Sequence, residues 1–377
     1  MSNHEVVAAN VARLRAERGI TQAELADRAD LSRVTLGKIE RGEVLPRSDT
    51  LTDLARGLRV PVAELVTPTR PLPGVRFRAA KRVNTREQIL AEIATWLDSY
   101  SWLEDQLETS SEFKLSKLVG SKADPVELAA NARGQLRLDP KEPVRDICGL
   151  LEDSGVKLLL IRKATDSFFG LSVSSRGGGP AVVVNTWKRI SVERWIFTGA
   201  HELGHILLHE KAYDRTRDQE DPEEEREADR FAAHFLMPEA GFSSEWDETR
   251  GLPLLDRVLK LKRIFRVSYK TVLHRLVESE RESADVWKAF QVQHKRQFKS
   301  TLRKIDEPSR LQEGEFRLNW SSAGEPDALS PYDFVQDRLL RLVRQALEND
   351  VISHGRAAEI LAISRTEMRE LANAWAT

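Results

Sequence analysis

The sequence predicts a mainly α-helical protein with one small β-sheet, that is, an α+β fold. Apolar residues recur at helical spacing along most of the chain, whereas short continuous or alternating apolar runs occur between residues 157 and 185. The 377 residues, 41% apolar and 31% charged, are enough for two or three domains with buried cores. We therefore expect an N-terminal helical unit, a central domain that contains the sheet, and a helical C-terminal region.

Several classes of protein are excluded by composition. No stretch approaches the roughly 18 to 20 consecutive apolar residues of a membrane span, and the first residues lack the apolar core of a signal peptide. We therefore expect a cytoplasmic protein with no membrane partner. The single cysteine, Cys148, cannot form an internal disulfide, and its apolar surroundings favour a place in the core over a reactive thiol.

Residues 1–67 predict a unit of five helices. Thr21 is placed to cap a short helix, a tight turn follows it, and Ser32 is placed to cap a second helix that ends at Gly42. Apolar contacts fix the angle between the two helices of such a pair, and we assign these contacts to Leu25, Ala26, Leu31, Val34 and Ile39. The free side of the second helix is predicted to carry Arg33, Thr35, Leu36 and Lys38.

This unit resembles the XRE/Cro-like helix-turn-helix family, in TQAELA, in LS…IERG and in the closing ERGEVLP. The resemblance implies binding to double-stranded operator DNA, and a homodimer suits the modest positive charge of this region. In that family the residue matching Gln22 holds backbone phosphate. The predicted DNA-binding residues are Gln22, Ser32, Arg33, Thr35 and Lys38. The alternative is a helical bundle that contacts only protein.

A linker and a connecting helix are predicted between the N-terminal unit and the central domain. Three prolines and a basic tail predict a linker over residues 68–85, and apolar residues at helical spacing predict a connecting helix within 86–120. The central domain is assigned to 121–282. It is expected to contain a helix opening at Pro125, a helix ending near Gly155 with a strand after it, and a hairpin-like pair of strands at 168–174 and 181–185.

The stretch TGAHELGHILLHE carries the main chemical signal. His201 and His205 are four residues apart, so a helix places both imidazoles on one face, where they can bind one zinc ion. Glu202 lies beside them and is placed to act as a general base on a water molecule at the metal. The surrounding apolar and small residues predict a buried site. The alternative is a pair of histidines with no ligand role.

A catalytic zinc ion needs a third protein ligand, and a second helix can supply it. In EEEREADRFAAHFLMP, Glu225 and Asp229 share a face with small alanines, so we assign Glu225 as the ligand and Asp229 as the partner that orients a ligand histidine. Glu224 and Glu227 are weaker candidates because they rotate away from that face. His209 is expected to lie too far from His201 to share its ion.

These motifs together resemble the ImmA/IrrE family of metallopeptidases, in PVELAANARGQL, AHELGHILLH and the E-x-x-A-[DN]-x-F-A-x-x-x-L-M-P pattern. The resemblance implies a gluzincin-like domain that uses Zn²⁺ to cleave a protein, often a DNA-binding repressor or an antitoxin. Residues 181–184 are either an edge on which an extended substrate adds or only a core strand. Tyr213 and His234 are possible oxyanion donors, although a structural role suits each better.

The C-terminal region, 283–377, resembles no enzyme site. A polar, turn-rich stretch covers about 300–328, and short helices follow it. Oligomerisation, ligand sensing and a second helix-turn-helix all remain open for these helices.

For the whole chain, the main hypothesis is a DNA-binding regulator that cleaves a partner protein. The alternative is a regulator whose metallopeptidase-like domain is a sensor or a partner-binding module with little or no proteolysis.

Overall fold

The computed structural model describes residues 3–66, 75–79, 86–165, 167–175, 178–213, 221–303, 306–308 and 328–375. These residues are mainly helical and contain one small sheet, which confirms the predicted fold class. None of the described helices is long and apolar enough to cross a membrane. Residues 309–327, the greater part of the predicted polar stretch, lie outside the described residues.

The N-terminal unit is built from five helices around its own core, as predicted. Thr21 caps the second helix in a reciprocal capping box with Glu24, and Ser32 caps the third by accepting a hydrogen bond from the Thr35 backbone NH. The helices are α1 (Asn3–Glu17), α2 (Gln22–Arg28), α3 (Arg33–Glu40), α4 (Ser48–Leu58) and α5 (Val62–Val66). The core includes Val11, Leu14, Leu25, Leu36, Leu54 and Leu58.

The predicted connecting helix is present as α6 (Arg86–Gln106). Its contacts divide after Ser99: the first part belongs to the compact unit of α1–α5, and the rest belongs to the second unit. Ile93, Tyr100 and Leu103 are buried, which is the amphipathic pattern read from the sequence.

Four strands form the sheet in the order β1-β3-β4-β2. They are β1 (Val75–Ala79), β2 (Lys157–Ile161), β3 (Phe168–Val173) and β4 (Ala181–Asn185). The antiparallel pair β3–β4 is the predicted hairpin-like unit, and β2 runs parallel to β4. Of the two alternatives for this strand, a substrate edge or a core strand, the structure has the core strand, because β4 is hydrogen-bonded on both sides. Its five fully buried residues are those of a central strand.

Strand β1 lies inside the segment that the sequence predicts as a linker. It pairs antiparallel with β3, with Val75 opposite Val173 and Phe77 opposite Leu171. Apolar and basic residues alternate along VRFRA, which is the period of a strand, although prolines dominate the residues before it. Residues 67–74 and 80–85 of the predicted linker lie outside the described residues.

Helices pack around this sheet and complete the central domain. They are α7 (Pro125–Gln135), α8 (Ile147–Asp153), α9 (Val192–Leu208), α10 (Pro222–Leu236), α11 (Glu239–Glu248), α12 (Leu254–Phe265), α13 (Tyr269–Glu278) and α14 (Val286–Phe298). As predicted, Asp124 caps α7 with Pro125 at the first position. Helix α9 contacts β3 and β4, and α10 packs against α9 and α7. Cys148 is confirmed as a core residue, and burial raises the pKa of its thiol.

The C-terminal region continues with α15 (Arg338–Glu348), α16 (His354–Ile360) and α17 (Arg365–Trp375). Residues 336–338, at the start of α15, form hydrogen bonds with the central domain. The buried Glu152 carboxylate accepts hydrogen bonds from the backbone NH groups of Asp337 and Arg338, at 3.1 and 3.0 Å, where α15 begins. The Gln336 side chain accepts a hydrogen bond from the Leu160 backbone NH on β2.

Candidate functional site

Helix α9 presents the histidine motif to the interior of the central domain. Ser191 caps the helix by accepting a hydrogen bond from the Arg194 backbone NH. Apolar neighbours then bury nearly the whole helix, and His201, Glu202 and His205 have no exposed surface. Buried polar side chains are retained where they have partners, so the groups around these three residues define the site.

Three predicted ligands converge between α9 and α10. The Nε2 atoms of His201 and His205 lie 2.9 Å apart. The Glu225 carboxylate faces both: its Oε2 is 3.5 Å from His201 Nε2 and its Oε1 is 3.2 Å from His205 Nε2. One possible ligand atom from each residue lies within 4.8 Å of the others, so the three form a possible metal site.

The donor set fits a divalent transition metal. Two imidazoles and one carboxylate are a ligand set that catalytic zinc sites use, with a fourth position open. Metal–ligand bonds of about 2.1 Å in a tetrahedral arrangement place neighbouring donor atoms about 3.4 Å apart. The spacings among His201, His205 and Glu225 are close to that value. The Glu225 side chain keeps 15% of its surface exposed, more than either histidine.

A carboxylate lies on the side of each histidine away from Glu225, directly beside His201 and, through His209, behind His205. Asp229 Oδ1 lies 2.7 Å from His201 Nδ1, as predicted from its position one turn after Glu225. A proton on Nδ1 then leaves the Nε2 lone pair directed at the metal position.

A second chain reaches the other histidine. His205 Nδ1 is 2.8 Å from His209 Nδ1, and His209 Nε2 is 2.8 Å from Glu227 Oε2. The sequence reasoning placed His209 and Glu227 outside the ligand set, and neither belongs to the group that converges on the metal position. It missed that the pair supports His205, although a third histidine four residues on was a usable signal.

The predicted base, Glu202, accepts a hydrogen bond from a side chain of the sheet. Ser172 on β3 donates a hydrogen bond to Glu202 Oε2 at 2.8 Å, and Tyr213 donates one to Ser172 Oγ at 2.9 Å. Gly170 allows this approach, because a Cβ atom there would lie 2.5 Å from the Thr198 side chain. Sequence reasoning missed Ser172, since only the pairing of β3 beneath α9 brings it to Glu202.

The two possible oxyanion donors have other partners. Tyr213 is directed at Ser172, and His234 Nε2 lies 3.1 Å from Glu278 Oε2 and 2.5 Å from Arg275 Nη1. The hydrogen bond from His234 is the main reason that the pKa of Glu278 falls to about 2. His234 therefore takes part in an ion-pair cluster between α10 and α13.

The predicted DNA-reading helix, α3, has an exposed face, but the residues on that face differ from the prediction at two positions. Leu36 is fully buried and Val34 is 69% exposed, so the sequence assignment of these two residues is wrong and their places are exchanged. The helix directs Leu36 toward the core of α1–α5, where its four-carbon side chain fills more space than the three-carbon side chain of valine. Ser32, Arg33, Thr35 and Lys38 are exposed, and Gln22 donates a hydrogen bond to Glu40 at 2.6 Å.

Comparison with known proteins agrees with this arrangement. Residues 11–65 match the family model described as Helix-turn-helix. Over 73 residues, 19% of this chain, the sequence is 44% identical to the uncharacterized HTH-type transcriptional regulator y4dJ of Sinorhizobium fredii (strain NBRC 101917 / NGR234), of which 95% is covered. The chain belongs to the XRE-type helix-turn-helix transcriptional regulators. Residues 152–277 of this regulator match the family model described as IrrE N-terminal-like domain.

Both resemblances stated from the sequence are therefore confirmed for this helix-turn-helix regulator. Its IrrE-like match begins in α8 and ends in α13, so it contains the three converging residues, Glu202 and Asp229. The match places a metallopeptidase-like domain on the chain of a DNA-binding regulator.

Proposed function

We propose that this regulator binds operator DNA through α2 and α3 and cleaves a partner protein with a zinc-dependent site between α9 and α10. The convergence of His201, His205 and Glu225, next to a glutamate held by hydrogen bonds, is the observation that carries the proposal. The partner is expected to be a DNA-binding repressor or an antitoxin. A homodimer is expected on DNA, because helix-turn-helix dimers read two half-sites.

The residues of the site divide the work of peptide hydrolysis. His201, His205 and Glu225 would hold Zn²⁺, which lowers the pKa of a water molecule and polarises the peptide carbonyl. Glu202 accepts the proton from the attacking water and later gives it to the leaving amine. Ser172, donating to Oε2, keeps the Glu202 carboxylate in one orientation for both transfers.

Two observations favour a second candidate function, in which the domain is a sensor or a partner-binding module. Glu202 and both histidines are fully buried, so a peptide reaches them only if the covering groups move. Strand β1 pairs with the edge of β3, the strand that carries Ser172. A substrate that adds as a strand to β3 must therefore displace β1.

Metal content and cleavage of a co-purified DNA-binding protein test the proposal. Wild-type protein and Glu202→Gln are purified with zinc, their metal content is measured, and each is incubated with the partner. New chain ends are then sought by mass spectrometry. We expect zinc in both proteins and cleavage by the wild type alone, because the amide cannot take the proton.

Glu223→Gln is the matched control, since it removes an exposed carboxylate from the first turn of α10. It should bind zinc and cleave like the wild type. Zinc binding without cleavage of any partner by the wild type, with DNA binding intact, would reject the peptidase and favour the sensor.

A further inference from the structure

The last three helices form a small unit with its own apolar contacts. Helix α16 packs against both α15 and α17. The buried apolar residues of the unit are Leu339, Leu342, Val343, Ala346, Ile352, Ala357, Ala358, Ile360 and Met368. The function proposed above uses none of these helices.

Helices α16 and α17 repeat the cap spacing of α2 and α3. Thr21 and Ser32 cap the N-terminal pair, and Ser353 and Ser364 lie at the corresponding positions of the C-terminal pair, eleven residues apart in both cases. The first helix has seven residues in each pair. A reciprocal capping box occurs once in each pair but at different caps: Thr21 with Glu24 opens α2, the first helix of its pair, whereas Ser364 with Glu367 opens α17, the second helix of its pair.

The turns between the helices also match. Each contains one residue in the left-handed region two positions before the second cap, Asp30 at φ 52° and Ala362 at φ 53°. A left-handed residue other than glycine is uncommon, so its recurrence at one position of the motif is informative. The backbone hydrogen bonds correspond in pairs: Leu31 N to Ala26 O and Ile363 N to Ala358 O, Ala29 N to Leu25 O and Leu361 N to Ala357 O, Leu36 N to Ser32 O and Met368 N to Ser364 O.

Burial follows the same register. Leu36 and Ile39 of α3 enter the core; Met368, which matches Leu36, is fully buried as well, whereas Leu371, which matches Ile39, is half-buried. The first helices agree too: Leu25 and Ala26 in α2 correspond to Ala357 and Ala358 in α16, and all four are buried.

A third copy of the turn shows what distinguishes α17. Arg266 at φ 53° precedes the cap Ser268 between α12 and α13. However, Tyr269, Val272, Leu273, Arg275 and Leu276 of α13 are buried in the central domain. Half of that ten-residue helix is therefore buried, although His274 and Glu278 are exposed, whereas Met368 is the one buried residue among the described residues of α17.

The exposed face of α17 carries groups that suit DNA. Arg365 occupies the first helical position, as Arg33 does in α3, and Thr366, Arg369 and Asn373 follow on the side opposite Met368. Within the described part of the chain, neither Arg365 nor Arg369 forms an ion pair. Guanidinium groups bind phosphate and guanine, and asparagine reads adenine.

We infer that α16 and α17 form a second helix-turn-helix that binds double-stranded DNA, with α17 as the helix that enters the major groove. Arg365 and Arg369 contact the duplex, and Glu370 stands where α3 has Lys38. The regulator would then contact DNA at two places on one chain.

Binding of the full-length protein to duplex DNA tests this inference. The probe is a fluorescent duplex of mixed sequence, about four helical turns long, titrated between about 50 and 200 mM salt. All variants carry Arg33→Ala, so that α3 contributes less to binding. We expect Arg365→Ala/Arg369→Ala to weaken binding about tenfold at the lowest salt and to reduce the salt slope by about 2.

Two further variants sharpen the result. Arg341→Ala/Arg344→Ala removes the same charge from exposed positions of α15 and should bind like its parent. Glu370→Lys should bind at least about threefold more tightly, because it restores a cation at the Lys38 position. Since it adds rather than removes an interaction, this gain decides the question even if the double alanine variant fails to fold.

Equal affinity of the two double variants, with no gain from Glu370→Lys, would overturn the inference. Analytical sedimentation of the same proteins tests the alternative that the exposed face of α17 is a dimer contact between copies of the chain. If Arg365→Ala/Arg369→Ala loses a dimer while DNA affinity is unchanged, the face belongs to contact between copies and the inference is wrong.

Discussion

At the residue scale, three carboxylates of α10 face different histidine atoms. Glu225 faces the two histidine Nε2 atoms, Asp229 faces His201 Nδ1, and Glu227 faces His209 behind the second ligand. Position along the helix decides the partner, because successive residues of an α-helix point about 100° apart. A single acidic run therefore contains a predicted ligand and two further carboxylates that face histidine ring nitrogens.

Asp229→Ala should weaken zinc binding by about 10- to 100-fold without unfolding the domain. The substitution removes the group that holds the proton on His201 Nδ1. Competition with a chromogenic zinc chelator measures the affinity. Glu223→Ala, on the exposed first turn, should bind zinc like the wild type. If both variants kept wild-type affinity, Asp229 would have no orienting role.

A second residue-scale prediction concerns pH. The Lys262 ammonium is shared by two buried carboxylates, Glu193, to which it donates a hydrogen bond, and Glu307, 3.9 Å away. One cation cannot compensate both, and burial raises the pKa of Glu307 to about 7. Because the folded protein holds this proton more tightly than the unfolded chain does, stability falls as pH rises from the ordinary carboxyl pKa of 4.5 through about 7.

Glu307→Gln should therefore be more stable than the wild type above pH 7, by about 1–3 kcal/mol, and differ little near pH 5. The amide keeps an oxygen that can accept from the Tyr269 backbone NH. Urea unfolding of both proteins across this range measures the difference. Parallel stability curves would show that Glu307 does not titrate in this window.

At the scale of elements, α9 and α10, which carry the proposed metal ligands, meet at a glycine. A Cβ atom at Gly204 of α9 would lie 2.9 Å from Cδ1 of Phe231, which is fully buried in α10. The close approach brings the backbone of α10 near enough for Glu225 to face His201 and His205. Spacing within each helix aligns the donors, and the contact between helices sets their distance.

Gly204→Ala should destabilise the central domain by about 1–3 kcal/mol and weaken zinc binding, because Phe231 and α10 must shift. Urea unfolding and a zinc titration measure the two effects. Gly134→Ala is the control: nothing lies within 4 Å of a Cβ atom there, and α7 should gain about 0.5–1 kcal/mol. An unchanged zinc affinity in Gly204→Ala would show that the glycine does not set the donor distance.

At the scale of the whole molecule, the DNA-binding helices and the proposed metal site have separate cores. Among the described residues, the apolar core of α1–α5 shares no residue with the core around the proposed site, which extends from Phe113 to Phe334 and so beyond the predicted bounds of the central domain, 121–282. Each unit buries its own apolar surface, which is the property of independent domains. Changes in one unit are therefore expected to leave the chemistry of the other in place.

Arg33→Ala should weaken binding to an operator by about 1–3 kcal/mol and leave the zinc content unchanged. A metal chelator should do the reverse: it removes zinc and lowers the thermal midpoint of the central domain, while α1–α5 keep their affinity for DNA. Fluorescence anisotropy and metal analysis on the same samples measure both. Loss of DNA binding on chelation would show that the two units are coupled.

Local signals accounted for much of the fold and of the candidate site. Capping residues and helical spacing correctly placed α2, α3, α6 and α7, because these features depend on neighbours within one or two turns. The four-residue spacings of His201 with His205 and of Glu225 with Asp229 follow from the same geometry. The exchange of Val34 and Leu36 shows the limit, since both are apolar and adjacent positions differ only in direction.

By itself, the sequence determined the main helices, three of the four strands, and most of the side chains that each helix groups on one face. Only the tertiary structure decided that β1 joins the sheet from a predicted linker, that β4 is central, and that Ser172 holds Glu202. Strand order and contacts between distant segments depend on long-range pairing, which leaves no periodic trace in the chain. The match of α16–α17 to α2–α3 was faint in the residues, because a turn conserves its backbone hydrogen bonds more than its side chains.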